Sequence, residues 1–362
     1  MKDSIKIISV FGIPIELHIS FVILMGVLAL ASMAFDSGGF LLYILLLFFF
    51  VLLHELSHSL VARKYDVKID RIVLLPFGGV SAMEKIPEDP SKELTIAIAG
   101  PMLNFVVAAV VALPLILSPG GMERFYQGFF SLALPRDLLG LAAVILKVNI
   151  LLGAFNLFVP ALPMDGGRIF RAILAFKLGF VEATELSSGV AKVIAVMMFF
   201  FGLFFNPWLM LIAVFIYIGA VQESHITMVS SALRGLKVRD VMTTELATLT
   251  QDSSLDEASD LILLRKHMGY PVMEGGEMIG IFTFTDLANV PKSEWPGTKV
   301  GEVMTRDIIV CTPDDDVEDA LMKMSRGIVG RLPVVDEGKL VGIISKTDVI
   351  RTIEVMRLRK YA

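Results

Sequence analysis

The stretch LLLFFFVLLHELSHSLVARK, residues 45–64, places two histidines and a glutamate in a run that is otherwise apolar enough for lipid. Ionisable groups inside a membrane span cost at least about 2.5 kcal/mol each on insertion scales and are retained mainly where they serve a site. The alternative is a pair of histidines without function. Because the three ionisable groups lie so close together, the stretch predicts a membrane helix that carries chemistry.

The composition of the whole chain supports a membrane protein. Its 362 residues are 55% hydrophobic and 19% charged, and the mean hydropathy is +0.73, far above that of a soluble protein of this size. The formal charge of −5 gives no sign of a nucleic-acid-binding surface. The single cysteine, Cys311, excludes a disulfide within the chain and a cysteine-based zinc site. Any metal must therefore bind to His, Asp or Glu.

Apolar runs of spanning length, about 20 residues each, predict six transmembrane helices. They lie at 19–35, 39–61, 94–117, 138–159, 188–205 and 207–223. Lysine and arginine counts place both termini in the cytoplasm under the positive-inside rule. The cytoplasmic cations are Lys2, Lys6, Arg63, Lys64, Lys68, Arg71, Lys85, Lys92, Arg168, Arg171 and Lys177, against Arg124 and Arg136 on the opposite side. The β-branched segments 5–18 and 68–80 predict short strands at the cytoplasmic surface.

Charged residues return after the last apolar run, and this part of the chain contains an internal repeat. It aligns without a gap at a period of 62 residues, so that GIFTFTD at 280–286 recurs as GIISKTD at 342–348. The sequence thus predicts a membrane domain over 1–227 and a soluble pair over 228–362, with modules at about 236–292 and 298–356.

Residues 54–58, His-Glu-Leu-Ser-His, form the pattern HExxH. On a helix, His54 and His58 project from one face and can chelate a zinc ion, while Glu55 can act as a general base toward water. A catalytic zinc usually takes three protein ligands. The stretch FNLFVPALPMDGGR, residues 155–168, offers Asp165 as the third, although Asp-Gly-Gly alone is also a common turn.

These motifs together resemble the site-2 protease family of zinc intramembrane proteases, and the resemblance covers essentially the whole chain. It implies that His54, His58 and Asp165 bind zinc and that Glu55 activates water. It also implies that Asn156 helps to hold the substrate carbonyl or its oxyanion. This sequence has one residue more between Asn156 and Pro160 than the usual family pattern.

The Gly-Gly-Val segment at 78–80 follows an apolar extended run. It can offer a strand edge to which an unwound substrate adds as a further strand, and the alternative is a surface turn.

The 62-residue repeat resembles a tandem of CBS modules, which often accept adenosine-containing nucleotides. The resemblance implies that Asp286 and Asp348 contact ribose and that Thr283 and Ser345 face phosphate. The alternative is a structural, dimerising pair with empty clefts. Either form is compatible with a homodimer.

The fold class predicted is a polytopic α-helical membrane protein with short cytoplasmic-side strands, joined to an α/β tandem CBS domain. The predicted function is that of a zinc endopeptidase in the cell membrane that cleaves transmembrane segments of other proteins among membrane lipids. An adenine nucleotide at the cytoplasmic CBS pair would regulate it. The alternatives are a CBS-regulated transporter or channel and a binding protein that has lost catalysis. The spacing of HExxH and the presence of Glu55 favour the enzyme.

Overall fold

The computed structural model describes residues 4–35, 38–83, 87–130, 134–135 and 137–360. Three cations of the orientation count, Lys2, Lys85 and Arg136, lie outside these residues. The chain forms two compact units, Met1–Thr227 and Met228–Ala362. Each is described by itself.

The first unit contains a four-stranded sheet made from the two segments predicted to be extended. Its strands are β1 (Ser4–Val10), β2 (Ile13–His18), β3 (Ile69–Leu75) and β4 (Gly78–Met83), in the order β1-β2-β3-β4. The β2–β3 pair is parallel, whereas the two flanking pairs are antiparallel. Within the described residues, β4 pairs only with β3, so its other edge is free.

The helices of the first unit are mostly apolar and long. They are α1 (Ile19–Ala34), α2 (Gly38–Arg63), α3 (Pro90–Leu117), α4 (Gly121–Phe130), α5 (Leu138–Phe158), α6 (Asp165–Leu178), α7 (Phe180–Phe205) and α8 (Pro207–Leu233). Five of them, α2, α3, α5, α7 and α8, are long and apolar enough to cross a membrane. The first apolar helix, α1, has 16 residues and is about 24 Å long at 1.5 Å per residue. That is shorter than a hydrocarbon core of about 30 Å, so the sixth span stays a prediction.

The fourth predicted span agrees with α5 to within one residue, whereas the last two helices are longer than their predicted spans: α7 begins at Phe180 instead of residue 188, and α8 ends at Leu233 instead of residue 223. The fourth apolar run ends at Phe158, and Asp165 begins a separate helix, α6, after a segment with prolines at 160 and 163. Proline lacks a backbone N–H and cannot continue the hydrogen-bond ladder of a helix, which explains the break. Most of the chain between the sixth predicted span and the first module is also helical, because α8 continues to Leu233.

The second unit contains the repeat as two α/β modules. The first holds α9 (Val238–Val241), β5 (Leu249–Thr250), α10 (Leu255–Arg265), β6 (Gly269–Glu274), β7 (Glu277–Thr283) and α11 (Phe284–Ala288), followed by a 3-10 turn at Lys292–Glu294. The second holds α12 (Val300–Val303), α13 (Val317–Arg326), β8 (Arg331–Asp336), β9 (Lys339–Ser345) and α14 (Lys346–Lys360).

The two modules exchange their first segments. Thr243 pairs with Ile343 of β9 in the second module, and Thr305 pairs with Ile281 of β7 in the first. The two pairs are related by the 62-residue period. Each hydrophobic core accordingly contains a piece of the other repeat: Val238 lies in the core of the second module and Val300 in that of the first.

Candidate functional site

The side chains of His54 and His58 lie on one face of α2, as the four-residue spacing requires, and both are buried. Their Nε2 atoms are 3.1 Å apart. Asp165, the first residue of α6, places Oδ2 2.9 Å from His54 Nε2 and 3.1 Å from His58 Nε2. Among the described residues, these three side chains are the one group of three whose candidate metal-binding atoms converge.

The hydrogen bonds at Nδ1 set the tautomer of the two neutral imidazoles. His58 Nδ1 lies 2.6 Å from the backbone carbonyl of Ile96, which can only accept, so Nδ1 carries the proton and Nε2 presents a lone pair. His54 Nδ1 lies 2.6 Å from Asn104 Oδ1, with the same consequence. Two lone pairs and a carboxylate oxygen that meet in a buried site fit a bound cation. Tetrahedral zinc with bonds of about 2.0 Å sets its ligand atoms about 3.3 Å apart, close to the spacing observed.

The neighbouring helix α3 approaches His54 and His58 through a glycine. A Cβ atom at Gly100 would lie less than 3.0 Å from the Nε2 atoms of both His54 and His58. Ser57 Oγ donates to Ala99 O at 2.9 Å and ties the two helices together at this level. The backbone of α3 therefore forms one wall of the site.

An adjacent side of α2 contacts the edge strand β4. A Cβ atom at Gly79 would lie 2.5 Å from Glu55 Cγ, and the hydroxyls of Ser59 and Ser81 are 2.8 Å apart. Glu55 and Ser59 are four residues apart on the helix, a rise of about 6 Å, and Gly79 and Ser81 are two residues apart on the strand, a rise of about 6.6 Å. The two contacts between α2 and β4 therefore have the same spacing on both elements. Glu55, the predicted base, thus extends from α2 against the face of β4 at Gly79.

Two glycines fix the start of α6. Cβ atoms at Gly166 and Gly167 would lie less than 3.0 Å from Val159 O and Leu162 N, respectively. The helix can therefore turn back tightly on the preceding segment. This packing brings Asp165 to the histidines.

A buried network of charged side chains fixes α6 at Arg171, six residues after Asp165. Arg171 is fully buried, its Nε donates to Glu93 Oε1 at 2.8 Å, and its Nη1 donates to Glu223 Oε1 at 2.7 Å. The network joins α6 to α3 and α8. Because α6 carries Asp165, the position of that carboxylate depends on this network.

Asn156 lies in the last turn of α5. Its Nδ2 donates to Leu152 O at 3.0 Å, one turn earlier in the same helix. Its predicted contact with substrate carbonyl or oxyanion stays a prediction.

The four predicted nucleotide contacts form two equivalent helix caps. Asp286 Oδ2 accepts from Thr283 N and Oγ1, both at 2.7 Å, at the start of α11. Asp348 Oδ2 accepts from Ser345 N at 2.9 Å and Oγ at 2.6 Å, at the start of α14. Each carboxylate uses one oxygen for the cap, as in a capping box, and keeps Oδ1 for another partner.

Comparisons with known proteins agree with this geometry. The model of peptidase family M50 matches residues 42–205, and the CBS domain model matches residues 238–293 and 300–355. Zinc metalloprotease MJ0392 of Methanocaldococcus jannaschii is 40% identical over 361 residues, which cover 99% of each chain. The chain belongs to peptidase family M50, the site-2 protease family, and carries a tandem CBS pair.

Two solved structures are also similar to this M50 peptidase. The structure of a site-2 protease from Methanocaldococcus jannaschii covers 61% of this chain and 95% of its own, with 42% identity and a TM-score of 0.46. The CBS pair of protein MJ0100, in complex with 5′-methylthioadenosine and S-adenosyl-L-methionine, covers 33% of this chain and 97% of its own, with 26% identity and a TM-score of 0.31.

The residues that support this M50 site were not predicted from the sequence. Gly100 and Asn104 belong to one face of α3, four residues apart, and neither attracts notice in an apolar run. Asn149, in α5, was not predicted to have a role either. The available signal was the cost of an amide in a membrane span, the same argument that singled out His54 and His58.

Proposed function

We propose that this chain is an intramembrane zinc endopeptidase that hydrolyses peptide bonds within transmembrane segments of other membrane proteins. The observation that carries the proposal is the convergence of two histidine lone pairs and the Asp165 carboxylate beside Glu55. An ion path through a transporter would not need this donor set, and a protein without catalysis would not need Glu55.

The residues divide the chemistry between them. His54, His58 and Asp165 would hold zinc, which supplies a Lewis acid that polarises the substrate carbonyl and increases the acidity of water. Glu55 accepts the proton of the attacking water and passes it to the leaving nitrogen. Asn156 would donate to the carbonyl oxygen as negative charge develops there, since such a donor stabilises the transition state.

A membrane helix hides its amides in its own hydrogen bonds, so the substrate must unwind before it is cut. The free edge of β4 supports a place for the unwound segment, because an extended chain can pair with an exposed strand. Gly79 lies in this strand and against Glu55, so a segment paired with β4 would pass close to the base. Proline or glycine near the cut site of a substrate should increase cleavage, because both residues weaken a helix.

The test combines metal analysis with cleavage of a model transmembrane substrate by the purified protein. We expect one zinc per chain in the parent and in Glu55→Gln, but cleavage in the parent alone, because an amide cannot accept the proton. His54→Ala and His58→Ala should lose the zinc. Full cleavage by Glu55→Gln, or zinc retained in both histidine variants, would refute the proposal.

We further propose that the CBS pair lies in the cytoplasm with both termini and binds an adenine nucleotide that changes the rate of proteolysis. Asp286 and Asp348 occupy equivalent cap positions, and each keeps a carboxylate oxygen that can accept from ribose hydroxyls. A nucleotide regulates only through a difference in affinity between two states of the enzyme, so tight binding alone is insufficient.

The nucleotide test uses Asp286→Asn together with Asp348→Asn, since an amide oxygen can still cap the helix while the charge is lost. The parent should bind an adenine nucleotide and change its cleavage rate across the titration, whereas the double variant should do neither. Asp240→Asn is the matched control, because Asp240 caps α9 by accepting from Lys237 N at 2.9 Å. A parent that binds nucleotide at a constant cleavage rate would leave the pair as an assembly module, and a homodimer would then be its expected role.

A further inference from the structure

We propose that Asn149, acting through Asn104, fixes His54 in the tautomer that binds metal. The inference rests on the proposed zinc site and assigns positioning roles to two residues outside the ligand set. Neither residue belongs to HExxH or to the segment around Asp165. They lie on two other helices, Asn104 on α3 and Asn149 on α5.

The direction of each hydrogen bond follows from a backbone carbonyl at the far end. Ile145 O can only accept, and Asn149 Nδ2 lies 2.9 Å from it, so the Asn149 amide nitrogen points there. Its oxygen therefore faces Asn104 Nδ2, also at 2.9 Å. The Asn104 oxygen must then face His54 Nδ1, at 2.6 Å. An oxygen at that place requires a proton on Nδ1 and leaves the Nε2 lone pair directed at the metal position.

The reverse orientation of Asn104 would disable the site. Its amide nitrogen would then donate to His54 Nδ1, and the ring proton would move to Nε2. That proton would point at Asp165 Oδ2, which is 2.9 Å away, and a hydrogen bond would replace the metal bond. Without Asn149, nothing in the chain of hydrogen bonds would distinguish the two orientations of the Asn104 amide.

Burial increases the free-energy difference between the two orientations of the Asn104 amide. Asn104 and Asn149 are both 0% exposed, and a buried amide without a partner costs about 1–3 kcal/mol. Water would not readily rescue a flipped amide there. The two ligands also differ in their support: His58 is set by the carbonyl of Ile96, whereas His54 depends on two side chains. Of the two histidines, only His54 therefore has an Nδ1 partner that a side-chain substitution can remove.

The test measures zinc affinity by chelator competition in the full-length protein, for Asn104→Leu, Asn149→Leu and the double variant. Outer partners of metal-binding histidines typically contribute about 10–100-fold to metal affinity. We expect a loss in that range for Asn104→Leu and a smaller loss for Asn149→Leu. The double variant should match Asn104→Leu, because Asn149 acts on His54 only through Asn104. Thr184→Val is the control, since it removes a buried hydroxyl that donates to Phe180 O on α7.

Thermal unfolding of the metal-free proteins separates positioning from general destabilisation. A zinc-affinity loss that exceeds the control's at a similar metal-free Tm supports the relay. Parent affinity in either single variant, or losses that multiply in the double variant, would overturn it and leave the proposed enzyme intact. If Asn104→Leu does not fold, the Asn149→Leu affinity decides alone. A parent that binds no zinc would overturn the proposed function and the relay together.

Discussion

Gly100 lies directly against His58, so closely that a Cβ atom at position 100 would sit less than 3.0 Å from the Nε2 atom expected to bind metal. The same Cβ would collide with His54 Nε2. The absence of a side chain at position 100 of α3 therefore leaves the space that the two imidazoles of α2 occupy.

Gly100→Ala should lose zinc while the helix itself is maintained. Alanine favours a helix over glycine by about 1 kcal/mol, so a loss of metal would reflect the collision with the imidazoles and not a weaker helix. We expect at least a tenfold fall in zinc affinity, measured by chelator competition. Gly189→Ala on α7, where a Cβ would meet nothing within 4 Å, is the control. Equal zinc affinity in the two variants would contradict the proposed ligand position.

Gly79→Ala should impair cleavage without releasing zinc. The new methyl group would meet Glu55 Cγ at 2.5 Å and Val51 Cγ1 at 3.3 Å, so the predicted base must move. A displacement of about 1 Å at a catalytic group can cost about 100-fold in rate. Gly189→Ala on α7, where a Cβ would meet nothing within 4 Å, should leave the rate near that of the parent. Cleavage rates and zinc content of the same preparations check the prediction.

His54 and His58 could be singled out as candidate metal ligands because ionisable groups in an apolar run are costly. His54 and His58 share one helix, so their geometry follows from a four-residue spacing alone. Asp165 was named as the third ligand, but its place at the start of a separate helix was not foreseen. The prolines at 160 and 163 were a visible signal of that break.

The support for the ligands could not be predicted from local pattern. Asn104 and Asn149 come together with His54 only after three helices pack, and no spacing along the chain encodes that packing. The exchange of first segments between the CBS modules could not be predicted from local pattern either. A gapless repeat shows two equivalent units, but it does not show that Thr243 pairs with the strand of the other one.

Arg171→Leu should destabilise the membrane unit and weaken zinc binding through α6. Removing the cation leaves Glu93 and Glu223 without their shared partner, and loss of one member of a buried pair typically costs about 3–5 kcal/mol. Replacing all three residues by apolar ones should recover much of that stability, because no uncompensated charge remains. Thermal unfolding in detergent measures the loss of stability and its recovery, and chelator competition measures the zinc affinity.

The control for Arg171 is a surface pair in the same unit. Arg124 Nε and Asp137 Oδ2 are 2.8 Å apart and both side chains are more than 40% exposed. Such pairs typically contribute about 0–1 kcal/mol, so Arg124→Ala should change Tm little. A Tm for Arg171→Leu equal to that of Arg124→Ala would show that the buried network does not hold α6.

Cys311 should act as a reporter of the second module. Its side chain is buried in that module's core, and burial, with a smaller contribution from Asp315, raises the pKa of the thiol from its ordinary 9.0 to about 11. Only the thiolate reacts with disulfide reagents, so labelling of the folded protein at pH 8 should be slow and should become fast on unfolding. Because the folded state holds the proton more tightly, the free energy of unfolding should decline as pH rises from about 9 to about 11. Cys311→Ala should lack this part of the alkaline decline. Denaturant titrations of both proteins at pH 8, 9, 10 and 11 would then show a difference in the free energy of unfolding that changes with pH. A difference that stays constant across these pH values would show that the thiol titrates as it does in the unfolded chain.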